Sequence, residues 1–263
     1  MTFPIQSGKH RLAPLVTPQA FFDYLRREGR PLPRDVPESV ILLFGPRLRN
    51  HALRQLHGKP VRELPHMIVL PGRPRGVGTY FVPGIGGPHL ATEVEELAEL
   101  GVRRFVIVGL AGSLQPSLGP GSLVLCTKAL RDEGTSHHYA RATRYAHPQR
   151  ALTATLRQTL QGQSVPYRAG PSWTIDAVYR ETREELRRYR DDGILTVEME
   201  AATLFAVARY RRVAAAALFV VSDVLSEERW SPHFTDNRHH LRQALAVVVS
   251  ALAPSSGASS APR

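Results

Sequence analysis

Short apolar runs alternate with amphipathic stretches along most of the chain. The apolar runs are residues 40–44, 79–82, 105–108, 123–126 and 213–222, and each has the length of a buried strand. Strands that are apolar on both faces are typical of a parallel sheet covered by helices on both sides. The pattern therefore predicts an α/β fold in which a mixed, mostly parallel central sheet lies between two helical layers.

Helices are predicted between these runs. Thr17 and Pro18 supply an N-cap and a first-turn proline for the first helix, and Gly101 is placed to end the third. The predicted helices are 19–27, a segment from Gly45 to Leu56, 89–100, 148–160, 181–189, 198–210 and 236–252.

Length and composition favour a single domain. The chain has 263 residues, of which 43% are apolar, so residues 1–253 can bury one sizeable core and global disorder is excluded. The Ser-, Ala- and Pro-rich stretch 254–263 predicts a disordered tail.

The single cysteine, Cys126, excludes a disulfide framework or a cysteine-based zinc site within one chain. No stretch has the length and composition of a signal peptide or a membrane span, so we expect a cytoplasmic protein.

The net charge of +11 has two interpretations. It favours an anionic partner such as phosphate, a phosphorylated metabolite or nucleic acid. It is equally consistent with an arginine-rich genome composition. A non-catalytic nucleoside- or nucleic-acid-binding protein is therefore the alternative to an enzyme.

The residues that follow each predicted strand are the candidates for a site, because ligands of such sheets bind at the carboxyl ends of the strands. They are Gly45, residues 84–87, residues 109–112 and Ser222–Asp223. A phosphate-binding P-loop, a zinc-protease HExxH and a GxSxG nucleophile elbow are all absent from the sequence. We expect no metal, since adjacent histidines such as His137 and His138 point in different directions.

Three acidic residues stand out near these positions. Glu198 and Glu200 open the predicted helix 198–210, and residues two apart on a helix point to different sides, so only one of them is expected to face a ligand. Asp223 directly follows a predicted strand and is either a ligand group or an N-cap.

Several segments together resemble the nucleoside phosphorylase/uridine phosphorylase superfamily, which also contains phosphate-independent nucleosidases. They occur in the family's order between residues 40 and 225. The matching segments are 45–49, 62–63, 84–88, 94–97, 109–112 with Gly119 and Gly121, 176–179, 197–202 and 221–223.

The resemblance implies roles for the acidic residues. Glu200, with Met199 beside it, matches the pair that holds the ribose, which selects Glu200 over Glu198. Asp223, preceded by Ser222, matches the acid that hydrogen-bonds or protonates N7 of a leaving purine. Arg238 matches an arginine that assists this acid.

The resemblance also bears on the choice of base. Val178 and Tyr179 match residues beside the base and sugar. Pyrimidine-specific members read uracil with a Gln and an Arg, and those positions hold Thr182 and Glu184 here. A purine nucleoside is therefore expected as substrate, with uridine phosphorylase-like activity as the alternative.

The phosphate site departs from the family's pattern. Gly45 and Arg49 match the first phosphate loop, and Arg62 matches an arginine that a neighbouring subunit contributes. However, Ile107 and Leu110 replace an arginine and a hydroxyl residue of the second loop, which weakens the clamp on a dianion. Inorganic phosphate is the favoured co-substrate, with no other cofactor, and a phosphate-independent purine nucleosidase is the alternative.

The resemblance implies a homo-oligomer built from dimers, such as a hexamer. His10 matches weakly a histidine that reaches a neighbour's sugar site, and the stretch of His137 and His138 is a candidate lid. The expected protein is a purine nucleoside phosphorylase that acts on small molecules, with neither nucleic acid nor membrane as a partner.

Overall fold

The computed structural model describes residues 3–72, 76–235 and 237–253. The predicted tail 254–263 and the first residue of the predicted helix 236–252 lie outside these residues. The helices are α1 (Pro18–Arg27), α2 (Pro46–Arg54), α3 (Gly87–Glu99), α4 (Ser136–Tyr139), α5 (Arg150–Gly162), α6 (Arg183–Asp191), α7 (Ala201–Arg211) and α8 (Arg238–Leu252).

The strands belong to one sheet. They are β1 (Ser39–Phe44), β2 (Lys59–Val61), β3 (Leu64–Val69), β4 (Val77–Val82), β5 (Arg104–Ser113), β6 (Leu123–Asp132), β7 (Tyr145–Ala146), β8 (Arg168–Ile175), β9 (Thr196–Glu198), β10 (Ala214–Leu225) and β11 (Trp230–Pro232).

Part of this sheet closes on itself. The path runs β11-β10-β6-β8-β9-β5-β1-β4-β3-β2, and β10 also pairs with β5, so β5, β10, β6, β8 and β9 form a ring. The longer ladders, such as β10 with β5 and β6 with β8, are parallel, whereas β9 meets β5 in a short antiparallel pair. The predicted mixed α/β fold is confirmed, and the closure of the ring is an additional feature that the pattern did not indicate.

Helices bury both faces of the sheet. One core cluster joins α3 and α7 to side chains such as Phe105 and Phe219, and a second joins α2, α5 and α8 to the opposite face, with Val106 and Leu218. Neighbouring residues of a strand point to opposite faces of the sheet. Because both faces are covered by helices, the residues on either face of β5 and β10 are apolar.

The helix ends follow the capping chemistry in two places. Thr17 accepts a hydrogen bond from the amide of Ala20 and so caps α1 as predicted. α6 begins at Arg183 rather than at residue 181, because Thr182 and Glu185 form a capping box.

Two predicted boundaries near the candidate site were wrong. The predicted helix 198–210 begins only at Ala201, and Glu198 belongs to β9. β5 and β10 run to Ser113 and Leu225, so residues 109–112 and Asp223 lie within strands instead of after them. Pairing between these two long strands extends both of them beyond their apolar runs. No helix within the described ranges is both long and apolar enough to cross a membrane.

Candidate active site

A cavity of about 700 Å³ lies at the carboxyl ends of β1, β5 and β10, where ligands bind in parallel sheets. Glu200 and Asp223 both line it, although they are separated by α7 and most of β10. Its remaining lining is largely apolar and includes Phe44, Ile107 and Phe219. The fold thus brings the two expected acidic residues to one cavity.

Glu200 is the N-cap residue of α7 and is only 8% exposed. The amide of Gly86 donates a hydrogen bond of 2.7 Å to its Oε1. Gly86 has a φ of 88°, a conformation that favours glycine, and this conformation aims its N–H at the carboxylate. One carboxylate oxygen is therefore held by the loop 84–87, and the backbone of Met199 also donates to this carboxylate. No hydrogen bond from another side chain to Oε2 is formed within the described part of the chain.

The electrostatic surroundings of Glu200 favour its protonated form. Burial, followed by the neighbouring charge of Glu198, raises the pKa of Glu200 to about 7, and hydrogen bonds from the Gly86 and Met199 backbone oppose this shift. A hydrogen-bond donor or a positive charge at Oε2 would lower this pKa and favour the ionised carboxylate.

Glu198 has a structural position. Its Oε2 accepts hydrogen bonds from the amides of Glu200 (2.8 Å) and Ala201 (2.7 Å), and its Oε1 accepts them from the hydroxyls of Thr174 (2.6 Å) and Ser172 (3.2 Å). These bonds tie the start of α7 to β8. Burial raises the pKa of Glu198, and the same four donors oppose the shift. With both oxygens occupied, Glu198 supports the position of Glu200.

Asp223 is aimed by a β-bulge. The register between β10 and β5 shifts at Ser222, which is the extra residue, and bulges of this kind redirect side chains beside active sites. Ser222 donates to Asp223 Oδ1 at 2.6 Å, and the indole N–H of Trp230 donates to Oδ2 at 2.8 Å. Asp223 is 8% exposed and faces the cavity with both oxygens held.

The other predicted sugar and base residues also line the cavity. Met199 lies between Glu198 and Glu200 and is half-buried. Val178 and Tyr179 form part of a short turn at the rim, and the side chain of Tyr179 is 97% exposed. Tyr179 therefore has no packing contact that would hold it over a base within one chain.

The predicted phosphate residues lie outside the cavity lining. Gly45 is the N-cap of α2 with a φ of 103°, and Arg49 is half-buried and donates to the carbonyl of Pro65 at 3.4 Å. Arg62 is exposed between β2 and β3. At the two positions expected to belong to the second phosphate loop, Ile107 and Leu110 line the cavity with apolar residues.

Arg238 is likewise absent from the cavity lining and lies exposed at the first position of α8. The arginines that do line the cavity are Arg183 and Arg229. Neither was singled out in the sequence, because Arg183 belongs to a surface helix and Arg229 to the turn before β11.

Glu181 also lines the cavity, and the sequence pattern missed it. Burial, then the charges of Asp223 and Glu185, raise the pKa of Glu181 to about 7. Its position directly before Thr182, next to the segment that reads the base in relatives, could have marked Glu181 as a candidate site residue.

The predicted lid lies elsewhere. His137 and His138 belong to α4, where both rings contact Phe3 edge-on, and neither lines the cavity. His10 lies in a short turn, Lys9–Arg11, that packs against α4. Within one chain these histidines form a separate contact between the N-terminal segment and α4.

Comparison with known proteins identifies the family of this chain. A sequence model of the phosphorylase superfamily matches residues 56–254, which include Glu200 and Asp223. The chain belongs to the phosphorylase superfamily. The P. knowlesi homologue of P. falciparum PNP superimposes on it with a TM-score of 0.71 over 90% of each chain at 21% identity, which shows the shared fold.

Two curated members of this superfamily are similar in sequence. A guanosine phosphorylase of Halorubrum lacusprofundi is 36% identical over 138 residues, 52% of this chain and 57% of that protein. A uridine phosphorylase of Treponema pallidum is 32% identical over 181 residues, 64% of this chain and 69% of that protein. The match thus spans little more than half of the guanosine phosphorylase, and the two relatives differ in the base of their substrates.

Proposed function

We propose that this phosphorylase-superfamily protein is a purine nucleoside phosphorylase, with inorganic phosphate as co-substrate and no other cofactor. The observation that supports this most is the joint presence of Glu200 and Asp223 in one largely apolar cavity. Oε2 of Glu200 can accept from a ribose hydroxyl, and Asp223 lines the same cavity, held by Ser222 and Trp230.

The chemistry follows from these positions. The bond between C1′ and N9 breaks with its electron pair on the base. Asp223 takes up a proton from solvent and passes it to N7, which neutralises that base. The positive charge that grows on the sugar lies near the Glu200 carboxylate, which stabilises it. An oxygen of phosphate then bonds to C1′ and gives ribose 1-phosphate.

Water is the second candidate nucleophile, and the apolar wall formed by Ile107 and Leu110 favours it. A dianion needs charged or N–H donors, and neither side chain offers one. For phosphate to bind, Gly45 and Arg49 of the same chain and Arg62 of a neighbouring copy must complete the site. An oligomer built from dimers is therefore part of the proposal.

The test is turnover of guanosine, inosine, adenosine and uridine with and without phosphate. We expect purine cleavage that depends on phosphate and yields ribose 1-phosphate. Asp223→Asn should depress purine cleavage strongly, because an amide cannot supply the proton. Equal turnover without phosphate would instead establish the nucleosidase, and uridine as the best substrate would contradict the purine preference.

A further inference from the structure

The helices that cover one face of the sheet carry arginines but no carboxylates. This layer consists of α2, α5 and α8, and α8 contacts both of the others. The three helices contain seven arginines and neither Asp nor Glu. α3 and α6, which lie outside this layer, contain seven carboxylates. An arginine-rich composition would add arginine everywhere, so it does not account for a layer from which carboxylates are missing.

Six of these arginines are exposed and unpaired within the described part of the chain. The seventh, Arg49, is half-buried and donates to the carbonyl of Pro65. Elsewhere, arginines such as Arg187, Arg190 and Arg211 form ion pairs with carboxylates. We call the surface of the six exposed residues the arginine face. Its residues are Arg47, Arg54, Arg150, Arg157, Arg238 and Arg242.

The charges of neighbouring helices in this layer act on one another. Burial, and then the charge of Arg242 on α8, lowers the pKa of His51 on α2. No carboxylate of these three helices offsets this repulsion. An anionic partner that covers the arginine face would therefore be attracted to several cations at once.

The chemistry and the size of the arginine face fit a chain of phosphates. A guanidinium group matches a phosphate with two parallel N–H donors. The 15 residues of α8 span about 22 Å at the rise of an α-helix. Duplex nucleic acid carries one negative charge for about every 1.7 Å of its axis, so about 13 phosphate charges lie along this length.

The arginine face lacks the side chains that a membrane or a single strand needs. α2, α5 and α8 contain no Phe, Tyr or Trp, and none of the large apolar side chains exposed among the described residues belongs to them. Helices that bind a membrane surface bury exposed apolar side chains in it, and single strands stack their bases on aromatic rings. A duplex can be held through its backbone alone.

We propose that the arginine face binds the phosphate backbone of double-stranded nucleic acid, independently of base sequence. Contacts to phosphates position a protein on a duplex without reading its bases. No residue of α2, α5 or α8 lines the cavity, so this site is separate from the candidate active site. The proposal departs from the expectation that nucleic acid is not a partner, because the net charge of the sequence does not show where the charge lies.

The experiment measures the fluorescence anisotropy of labelled duplexes of about 20 base pairs, as DNA and as RNA, in unrelated sequences and at several salt concentrations. The face variant combines Arg54→Gln, Arg150→Gln, Arg157→Gln and Arg242→Gln. The matched control variant loses the same net charge from exposed positions outside the arginine face. It combines Arg27→Gln, Arg30→Gln, Arg188→Gln and Arg209→Gln.

The wild type should bind at least one kind of duplex with equal affinity for unrelated sequences, and this affinity should fall steeply as salt rises. The face variant should lose roughly 10- to 100-fold in affinity, and the slope of log affinity against log salt should become shallower by about 3–4, because four phosphate contacts are removed. The control variant should change the affinity by less than about 3-fold, since its arginines lie away from the bound duplex.

Three results would overturn the proposal. They are no binding of either duplex by the wild type at ~50 mM salt, an equal loss in the two variants, and tighter binding to anionic phospholipid vesicles than to either duplex. Thermal unfolding checks that both variants are folded, and their nucleoside turnover should match the wild type. If the face variant does not fold, the single substitution Arg242→Glu replaces it and should still weaken duplex binding several-fold. None of these binding results depends on the proposed function.

Discussion

Replacing Glu200 with Gln tests the proposed ribose contact. The Gly86 amide donates to Oε1 at 2.7 Å, so the glutamine should keep its oxygen at that position. Its NH2 group then takes the place of Oε2, where the substrate needs an acceptor. The variant is almost isosteric with the wild type, and both the Gly86 bond and the shape of the cavity are retained.

The loss expected from this change is that of one hydrogen bond to a charged group, about 1.5–3 kcal/mol. This corresponds to a fall in kcat/KM of roughly 10- to 150-fold. Because the sugar is common to all nucleosides, the fall should be similar for guanosine, inosine and adenosine.

The assay measures kcat/KM for guanosine and for its 2′-deoxy and 3′-deoxy analogues in both proteins. If Glu200 accepts from a ribose hydroxyl, the analogue lacking that hydroxyl should be poor for the wild type but little worse than guanosine for Glu200→Gln. Thermal unfolding checks that the variant is folded. An equal loss for guanosine and both deoxy analogues would refute the ribose contact, as would near-wild-type activity.

Two further predictions concern stability and the positioning of Asp223. Because burial raises the pKa of Glu200 to about 7, its folded form holds a proton more tightly than the unfolded chain, so the associated stability is present at acidic pH and is lost as the pH rises towards 7. Glu200→Gln should therefore be more stable than the wild type at pH ~8, with a free energy of unfolding higher by about 3 kcal/mol and a higher unfolding temperature. The difference in stability between the two proteins should disappear near pH ~4. A difference in unfolding temperature that scanning calorimetry finds constant across this pH range would contradict this linkage. Trp230→Phe removes the hydrogen-bond donor to Asp223 Oδ2, and because Trp230 is 59% exposed the variant should still fold. The kcat/KM for purine nucleosides should fall roughly 5- to 20-fold, while uridine cleavage, if measurable, stays unchanged. An equal fall for purine nucleosides and uridine would show that Trp230 acts on the fold instead.

The apolar periodicity was sufficient to predict the layered α/β fold, because helix caps and strands buried on both faces are local features. Thr17 capped its helix as predicted, and all five apolar runs became strands. The strands missed from the sequence have weak local signals. β8, for example, contains Gly170 and Pro171, and β9 is only three residues long. Such strands form because the neighbouring strands supply partners for their backbone groups.

The sequence predicted Glu200 and Asp223 as site residues, since the motif order marks them and both occur near strand ends, and the fold places both beside one cavity. What only the tertiary structure decided is how each group is held. The bulge at Ser222, the indole of Trp230 and the Gly86 amide come from different segments, which only the folded chain brings beside Glu200 and Asp223. Glu181 has no motif of its own and was recognised only because the fold buries it beside Asp223, where desolvation and a like charge act together.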